Sequence, residues 1–287
     1  MTLQTDARPP AFLDAAPPVA PDALASPVAS ENVPEDLRVA WSWPDLGILL
    51  IVGMGCTLIA MQLTATLVSS MTGLKPAELS GNGPAVSVLT ALSQVVLSLL
   101  LLAYLMVQVR VRVGTPFWTA LGYRQFSLPQ RSPASSYLTV FLGGMALAIV
   151  IAALGVLVRT QKELPIQKHF QTVEAMALLG TLAVLIAPLF EETIFRGYLY
   201  PVVARSWGVP AGVVATGVLF GLVHAMQLWG GWGEIALLIL VGIVFTYARA
   251  ATGSVLASFL LHLGYNSLLV LAQFAATGGF RHMPGTP

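Results

Sequence analysis

Long apolar stretches separated by short polar segments make up the sequence from about residue 43 onward. A helix needs about 20 apolar residues to cross a bilayer, and seven stretches approach or exceed that length. The predicted helices cover residues 47–71, 85–109, 136–158, 174–206, 210–228, 234–250 and 254–276. The fourth is longer than one span, and we expect Pro188 to kink it. The pattern predicts an all-α, polytopic transmembrane bundle of about seven to eight helices.

The polar segments divide the chain into four parts. Residues 1–42 are rich in Pro, Ala and acidic residues and have no continuous apolar run, which is typical of a disordered tail. Residues 43–169 form an N-terminal transmembrane region, residues 170–278 a second helical core, and residues 279–287 a C-terminal tail. The N-terminal segment, residues 1–42, lacks the basic and apolar regions of a secretory signal. We therefore expect the first spanning helix to direct the chain to the membrane.

Composition narrows the class of protein. Hydrophobic residues make up 56% of the 287 positions and charged residues only 9%, which indicates an integral membrane protein. A net charge of +1 without a basic run argues against nucleic acid as a partner. The single cysteine, Cys56, excludes an intramolecular disulfide and a cysteine-based metal cluster.

The distribution of Lys and Arg predicts the orientation. If the N-terminus is cytoplasmic, nine of the 14 basic residues fall on the cytoplasmic side, counting Arg196 within the fourth helix, and five fall on the other side. Basic residues are enriched in cytoplasmic loops. The bias therefore favours a cytoplasmic N-terminus. We expect the protein to lie in the cytoplasmic (inner) membrane.

The fourth helix contains three charged residues in the stretch LIAPLFEETIFRGYLYPVV, residues 185–203. Ionisable side chains inside a membrane are costly and rare. Glu192 and Arg196 are four residues apart and can form an ion pair, which a purely structural salt bridge would explain. Glu191 points about 100° away and has no such partner. The other 11 acidic residues are expected in the tail, in loops or at helix ends, so Glu191 is a candidate general base.

Two histidines and one asparagine fall inside later apolar helices. Each of His224 and His262, taken alone, is explained by a hydrogen bond to a backbone carbonyl. Turns are predicted at residues 207–210, 230–233 and 250–254. Folding the chain back at these turns brings Glu191 level with His224, and both level with His262 and Asn266. The sequence therefore predicts one polar layer inside the bundle.

This layer is compatible with two hydrolytic chemistries. In the first, Glu191 is a general base, His224 holds the water, and His262 and Asn266 donate hydrogen bonds to the oxyanion. In the second, Glu191, His224 and His262 bind a zinc ion that activates the water. The residues alone do not choose between them.

Three motifs in this order resemble a known family. The pattern E-E-x-x-x-R contains Glu191, Glu192 and Arg196, F-x-x-x-H contains Phe220 and His224, and H-x-x-x-N contains His262 and Asn266. Together they resemble the CPBP (CAAX protease and bacteriocin-processing, or Abi) intramembrane proteases, which include the type II CAAX prenyl endopeptidases. The resemblance covers roughly residues 170–275.

The resemblance implies an eight-helix core and specific roles. Glu191 would be the catalytic base and His224 its water-binding partner, while His262 and Asn266 would stabilise the oxyanion. Glu192, Arg196 and Phe220 would support them. Family members are often labelled metalloproteases, although a metal-free glutamate mechanism has also been argued, so the resemblance leaves zinc open.

We therefore expect an intramembrane endopeptidase in contact with the lipid bilayer. Its substrate would be a peptide or protein, prenylated in the case of CAAX-type processing or a related membrane peptide otherwise. The competing hypothesis is a non-enzymatic membrane protein or transporter in which the buried Glu, Arg and His residues relay ions or protons. A pseudo-enzyme scaffold that only binds partners is a third alternative.

Overall fold

The computed structural model describes residues 33–75, 78–80, 84–158 and 173–279, and these residues form helices and no strand. The helices are α1 (Trp43–Thr72), α2 (Pro84–Arg112), α3 (Phe117–Ala120), α4 (Pro133–Leu157), α5 (Val173–Thr181), α6 (Ala187–Glu192), α7 (Tyr200–Trp207), α8 (Val209–Val223), α9 (Trp232–Thr252) and α10 (Val255–Ala276). Two short 3₁₀ turns cover Glu35–Leu37 and Glu78–Ser80. The predicted all-α fold is confirmed.

The helix lengths agree with a polytopic membrane protein. Among the described residues, six helices are long and apolar enough to cross a membrane, and α8 is a shorter apolar helix. These seven correspond to the seven predicted stretches, and the chain is an integral membrane protein. The predicted fifth helix was too long, because α8 ends at Val223 and residues 224–231 form turns. The helix thus ends at the position of His224.

The fourth stretch is one continuous helix, Met176–Trp207, which we call the long helix. It consists of α5 from Met176 onward, α6 and α7, which are joined by two π-helical segments, Leu182–Ile186 and Thr193–Leu199. Each segment is followed within two residues by a proline, Pro188 or Pro201. Proline lacks an N–H and its ring crowds the carbonyl four residues back, so the backbone widens there. Glu191 and Glu192 lie between the two widened segments.

The bundle has two distinguishable ends. The arginine-rich end contains residues 34–42, the connector 113–132 and the turns at Gly208 and Gly253. The described arginines there are Arg38, Arg110, Arg112, Arg124, Arg131, Arg205 and Arg249. The opposite end contains the described residues 73–75, 224–231 and 277–279. Because consecutive spanning helices alternate in direction, α5 and α9 begin at the opposite end and α8 and α10 begin at the arginine-rich end.

Part of the predicted tail belongs to the bundle. Residues 1–32, 159–172 and 280–287 lie outside the described residues, but Leu37 and Trp41 are buried. Arg249 donates to the Asp36 carboxylate over 2.7 Å, and Arg205 donates to the carbonyl oxygens of Val39 and Trp41. The predicted boundary at residue 42 was therefore too late, since the chain already packs on the bundle from Pro34. The other predicted domain boundaries stay predictions.

Helix α4 crosses α10 at glycines. A Cβ atom on Gly144 would lie 1.9 Å from the Leu261 carbonyl oxygen, and one on Gly264 would lie 2.0 Å from the Phe141 carbonyl oxygen. No side chain fits at these distances without moving a backbone. The glycines therefore allow the close approach that fixes α10, the helix that holds His262.

We expect Gly144→Ala to destabilise the bundle and to lower the yield of folded protein. The adjacent Gly143→Ala is the matched control, because its Cβ would lie 3.5 Å from Leu261 Cδ1, an ordinary contact. Alanine favours helix over glycine by about 1 kcal/mol where space allows, so the control should be as stable as the wild type or more so. Thermal unfolding in detergent distinguishes them, and equal stability of the two variants would contradict the tight crossing.

Candidate active site

A cavity of about 1120 Å³ runs through the bundle from its middle to the opposite end. Side chains from α2, α4, the long helix, α8, α9 and α10 line it, and most of them are apolar. Gly155 and Val156 in the last turn of α4 and the turn residues Met226 and Gln227 mark its outer part. The cavity is large enough for several peptide residues.

Glu191, His224 and His262 meet at the inner wall of this cavity. Glu191 Oε1 lies 3.8 Å from Nε2 of His224, and Glu191 Oε2 lies 3.9 Å from Nε2 of His262. The Glu191 side chain is 19% exposed, so it is accessible from the cavity. The structure thus brings together the carboxylate and the two imidazoles that the sequence placed in one layer.

The Nδ1 atom of each imidazole, which points away from Glu191, has a defined hydrogen-bond partner. His224 Nδ1 lies 2.8 Å from the Phe220 carbonyl oxygen, which can only accept, so Nδ1 carries a hydrogen. His262 Nδ1 lies 2.9 Å from Glu192 Oε1 and donates to that carboxylate. Both Nε2 atoms are consequently directed at Glu191. The sequence did not predict the contact between His262 and Glu192.

The predicted ion pair between Glu192 and Arg196 is present and fully buried. Arg196 Nη1 donates to Glu192 Oε1 over 2.9 Å, and Nη2 donates to the Gly242 carbonyl oxygen over 2.7 Å. Arg196 Nε donates to Thr246 Oγ1 over 3.1 Å. Glu192 Oε1 therefore receives hydrogen bonds from both Arg196 and His262, and the pair connects the long helix to α9 and α10.

Two phenylalanines enclose these polar groups. The Arg196 guanidinium carbon lies 4.5 Å from the centroid of the Phe220 ring, a distance suited to a cation–π contact. The same ring lies 5.2 Å from His224, and the Phe245 ring lies 4.5 Å from His262. Phe220 was predicted as a supporting residue and occupies that position. Phe245 was not predicted, because one phenylalanine among many in an apolar helix gives no signal.

Asn266 also lines the cavity, one turn along α10 from His262. Its Nδ2 donates to the Ala183 carbonyl oxygen over 2.7 Å. Ala183 lies in the first π-helical segment, so the irregular backbone of the long helix orients the amide. Sequence reasoning placed Asn266 in the layer but did not predict this bond.

The connector at the arginine-rich end also reaches the long helix. The Tyr123 hydroxyl lies 3.0 Å from Thr193 Oγ1 and 3.2 Å from the Leu189 carbonyl oxygen. Burial raises the pKa of Tyr123 above its ordinary value, so the phenol stays protonated and can donate. Tyr123 thereby holds the turn that carries Glu191 and Glu192. No motif in the sequence indicates this contact.

Two of the acidic residues predicted at helix ends, Asp45 and Glu234, lie there, but their carboxylates are buried. Asp45, in the first turn of α1, is 3% exposed and pairs with Arg112 over 2.6 Å. Glu234, in the first turn of α9, has both carboxylate oxygens buried and lines the cavity. A position at a helix end therefore did not guarantee exposure.

The donor geometry does not match a zinc site. Two ligand atoms on one tetrahedral zinc, each at about 2.0–2.1 Å, lie about 3.3 Å apart. The two pairs formed by Glu191 are separated by 3.8 and 3.9 Å. Among the described residues, no group of three or more His, Cys, Asp or Glu side chains is arranged to hold a metal ion. The predicted zinc set of Glu191, His224 and His262 gains no support from this arrangement.

Comparison with known families covers the part of the chain that contains this site. Residues 173–268 match the family model described as Rce1-like, type II CAAX prenyl endopeptidase. We refer to residues 173–268 as the Rce1-like segment. The resemblance inferred from the three motifs is confirmed, and the Rce1-like segment contains all seven residues of those motifs.

One curated relative matches a longer stretch. An uncharacterized 24.3 kDa protein of Escherichia coli is 31% identical to the chain over 137 residues, which are 47% of this chain. The chain spans 58% of the length of that relative. No solved structure matches the chain significantly.

Proposed function

We propose that the protein is an intramembrane endopeptidase that hydrolyses peptide bonds with water activated by Glu191 and His224. The observation that carries the proposal is the convergence of one accessible carboxylate and two oriented imidazoles at the inner end of a large, mostly apolar cavity. The Rce1-like segment supports protease activity. Incubating the reconstituted protein with membrane peptides and identifying new termini by mass spectrometry tests it.

The spacing between Glu191 and His224 suits a water molecule held by both. Two atoms 3.8 Å apart can each lie about 2.8 Å from one oxygen, a normal hydrogen-bond length. Glu191 accepts a proton from that water as its oxygen attacks the scissile carbonyl carbon. The C–N bond then breaks, and Glu191 returns the proton to the leaving amine. His224 accepts the second hydrogen bond from the water and orients it.

The developing oxyanion needs hydrogen-bond donors on the other side of Glu191. His262 is held by Glu192 through its Nδ1–H, and when the ring also carries a hydrogen on Nε2 it can donate that hydrogen into the cavity. Asn266, already fixed by Ala183, has a second amide hydrogen. Donors held rigidly by other groups stabilise a transition-state charge with little reorganisation. We assign these two residues to the oxyanion, and Glu192 and Arg196 to positioning His262.

A proton or ion relay receives less support from the same geometry. Three nitrogens of Arg196 donate to Glu192, Thr246 and a backbone carbonyl, so a relay through Arg196 would require these bonds to break. The Glu191 carboxylate instead faces a cavity that can hold a peptide. An arrangement with a fixed ion pair beside an accessible base favours catalysis.

We expect the active protein to work without a bound metal ion. Elemental analysis of purified, peptidase-active protein should find zinc well below one ion per chain, because the donor separations exceed those of a zinc site. Treatment with a chelator should leave the rate unchanged. Stoichiometric zinc that disappears in both Glu191→Ala and His224→Ala would instead establish the metal mechanism.

We further propose that the arginine-rich end faces the cytoplasm, in accordance with the bias of basic residues. The cavity then extends to the non-cytoplasmic side. This arrangement favours a membrane peptide that enters from that side over a prenylated tail, which would enter from the cytoplasm. The orientation therefore decides between the two substrate classes.

Cysteine labelling tests this orientation in a Cys56→Ala background. A membrane-impermeant thiol reagent added to intact cells should label Leu74→Cys at the opposite end. Gln130→Cys at the arginine-rich end should react only after the membrane is permeabilised. Both positions are exposed. The reverse labelling would place the cavity on the cytoplasmic side and favour CAAX-type processing.

A further inference from the structure

Glu234 is the acidic member of the α9 face that lines the cavity. The cavity-lining residues of α9 are Glu234, Leu237, Leu238, Val241 and Phe245, which follow the three-to-four-residue spacing of one helical face. The last of these contacts His262. Glu234 continues this apolar stripe toward the opposite end of the bundle.

The Glu234 carboxylate has no partner among the described residues. Both of its oxygens are buried and neither has a hydrogen bond. The buried Asp45 and Glu192 differ, because each pairs with an arginine. Glu234 occupies the first turn of α9, where the helix dipole favours an anion, but it accepts no backbone N–H bond there and so is not a cap. A buried carboxylate without a hydrogen-bond partner is costly, and a cationic ligand would offset that cost.

The register between α8 and α9 shows how far Glu234 lies from the reactive layer. A Cβ on Gly221 would contact Ile239, and one on Gly217 would contact Ile243. Continuing this antiparallel register places His224 level with Ala236. Glu234 is two residues farther toward the opposite end, about 3 Å along the axis. Phe245, whose ring contacts His262, is 11 residues farther along α9, about 16 Å from Glu234 along the axis. Because an extended peptide advances about 3.3 Å per residue, Glu234 is placed to contact a side chain up to about five residues from the scissile bond.

We propose that Glu234 is a specificity residue that pairs with a lysine or arginine side chain of the peptide substrate, within a few residues of the cleaved bond. The inference rests on the proposed endopeptidase function and adds a charge requirement to it. A cationic side chain entering the apolar cavity loses its hydration, and a carboxylate there replaces it with a charge-assisted hydrogen bond. Gln94 and Gln227, which also line the cavity, supply further polar contacts.

The experiment compares peptides that differ only in one residue, lysine, glutamine or glutamate, placed in turn at each position around the cleaved bond. At one position the wild type should prefer lysine over glutamine by about tenfold or more in kcat/KM, about 1.4 kcal/mol. Glu234→Gln should reduce this ratio to near one, and Glu234→Lys should favour the glutamate peptide. Glu174→Gln removes an exposed carboxylate at the same end of the bundle and should keep the wild-type ratio.

The outcomes separate this inference from the proposed function. No cleavage of any peptide by the wild type would overturn both. Cleavage with the same charge ratio in the wild type and both Glu234 variants would overturn only the role of Glu234. An internal partner is tested with a triple Arg159→Gln, Lys162→Gln, Lys168→Gln variant, since these residues lie outside the described ranges. Non-additive losses of stability between that variant and Glu234→Gln would show an internal ion pair and contradict the inference.

Discussion

Replacing Glu191 with glutamine should lower kcat by about 10³-fold while the bundle stays folded. Glutamine keeps the shape of the side chain but cannot accept the proton of the attacking water, and general-base catalysis contributes about 10²–10⁴-fold. The Glu191 oxygens lie more than 3.5 Å from both imidazoles and face the cavity, so the fold does not depend on their direct bonds. Steady-state kinetics in proteoliposomes, together with thermal unfolding, measures both effects.

The adjacent glutamate provides the control for this experiment. Glu192→Gln changes the same functional group one position away, but it removes the buried negative charge that pairs with Arg196 and accepts from His262, and it leaves only a neutral amide oxygen there. We expect that variant to lose stability as well as activity, unlike Glu191→Gln. A Glu191→Gln protein that cleaves at the wild-type rate would show that another group is the base.

Replacing Arg196 with methionine should cost about 3–5 kcal/mol of folding free energy. Removing one partner of a buried ion pair leaves the other charge uncompensated, and here Glu192 is fully buried. The substitution also removes the bonds to Thr246 and Gly242 that connect the long helix to α9. We expect a large decrease in the midpoint of denaturant unfolding in detergent.

The double variant Glu192→Gln/Arg196→Met separates charge from packing. It removes both charges and should recover much of the stability lost in the single Arg196→Met variant, because no unpaired carboxylate remains. If Arg196→Met alone is as stable as the wild type, the pair does not hold these helices together. If the double variant is no more stable than Arg196→Met, the loss comes from packing and not from the unpaired charge.

The sequence was sufficient to predict the helices and the polar layer. The lengths of the apolar runs predicted the seven helices. The four-residue separation of Glu192 and Arg196 predicted their ion pair. Short turns constrain which residues lie at one depth, and this constraint predicts that Glu191, His224 and His262 lie close together. These features depend on local periodicity and on connection length, which a single chain displays directly.

The sequence did not predict contacts between distant segments. The bond from His262 to Glu192 depends on how α10 is rotated against the long helix, and α10 is also constrained by its close contact with Gly144 of α4. The bond from Asn266 to the Ala183 carbonyl depends on the π-helical segment Leu182–Ile186, which changes the register of the long helix. The partner of Asp45, Arg112, is 67 residues away. Such contacts follow from three-dimensional packing and not from spacing along the chain.

The most direct test of the central claim is peptide hydrolysis in water enriched in ¹⁸O. Purified protein in liposomes is incubated with a membrane peptide that it cleaves, and the new C-terminus is examined by mass spectrometry, with Glu191→Gln and His224→Gln in parallel. We predict that the wild type produces a new carboxyl group containing one solvent oxygen and that both variants produce almost none. Intact peptide in the wild-type reaction, or equal cleavage by wild type and Glu191→Gln, would contradict the account.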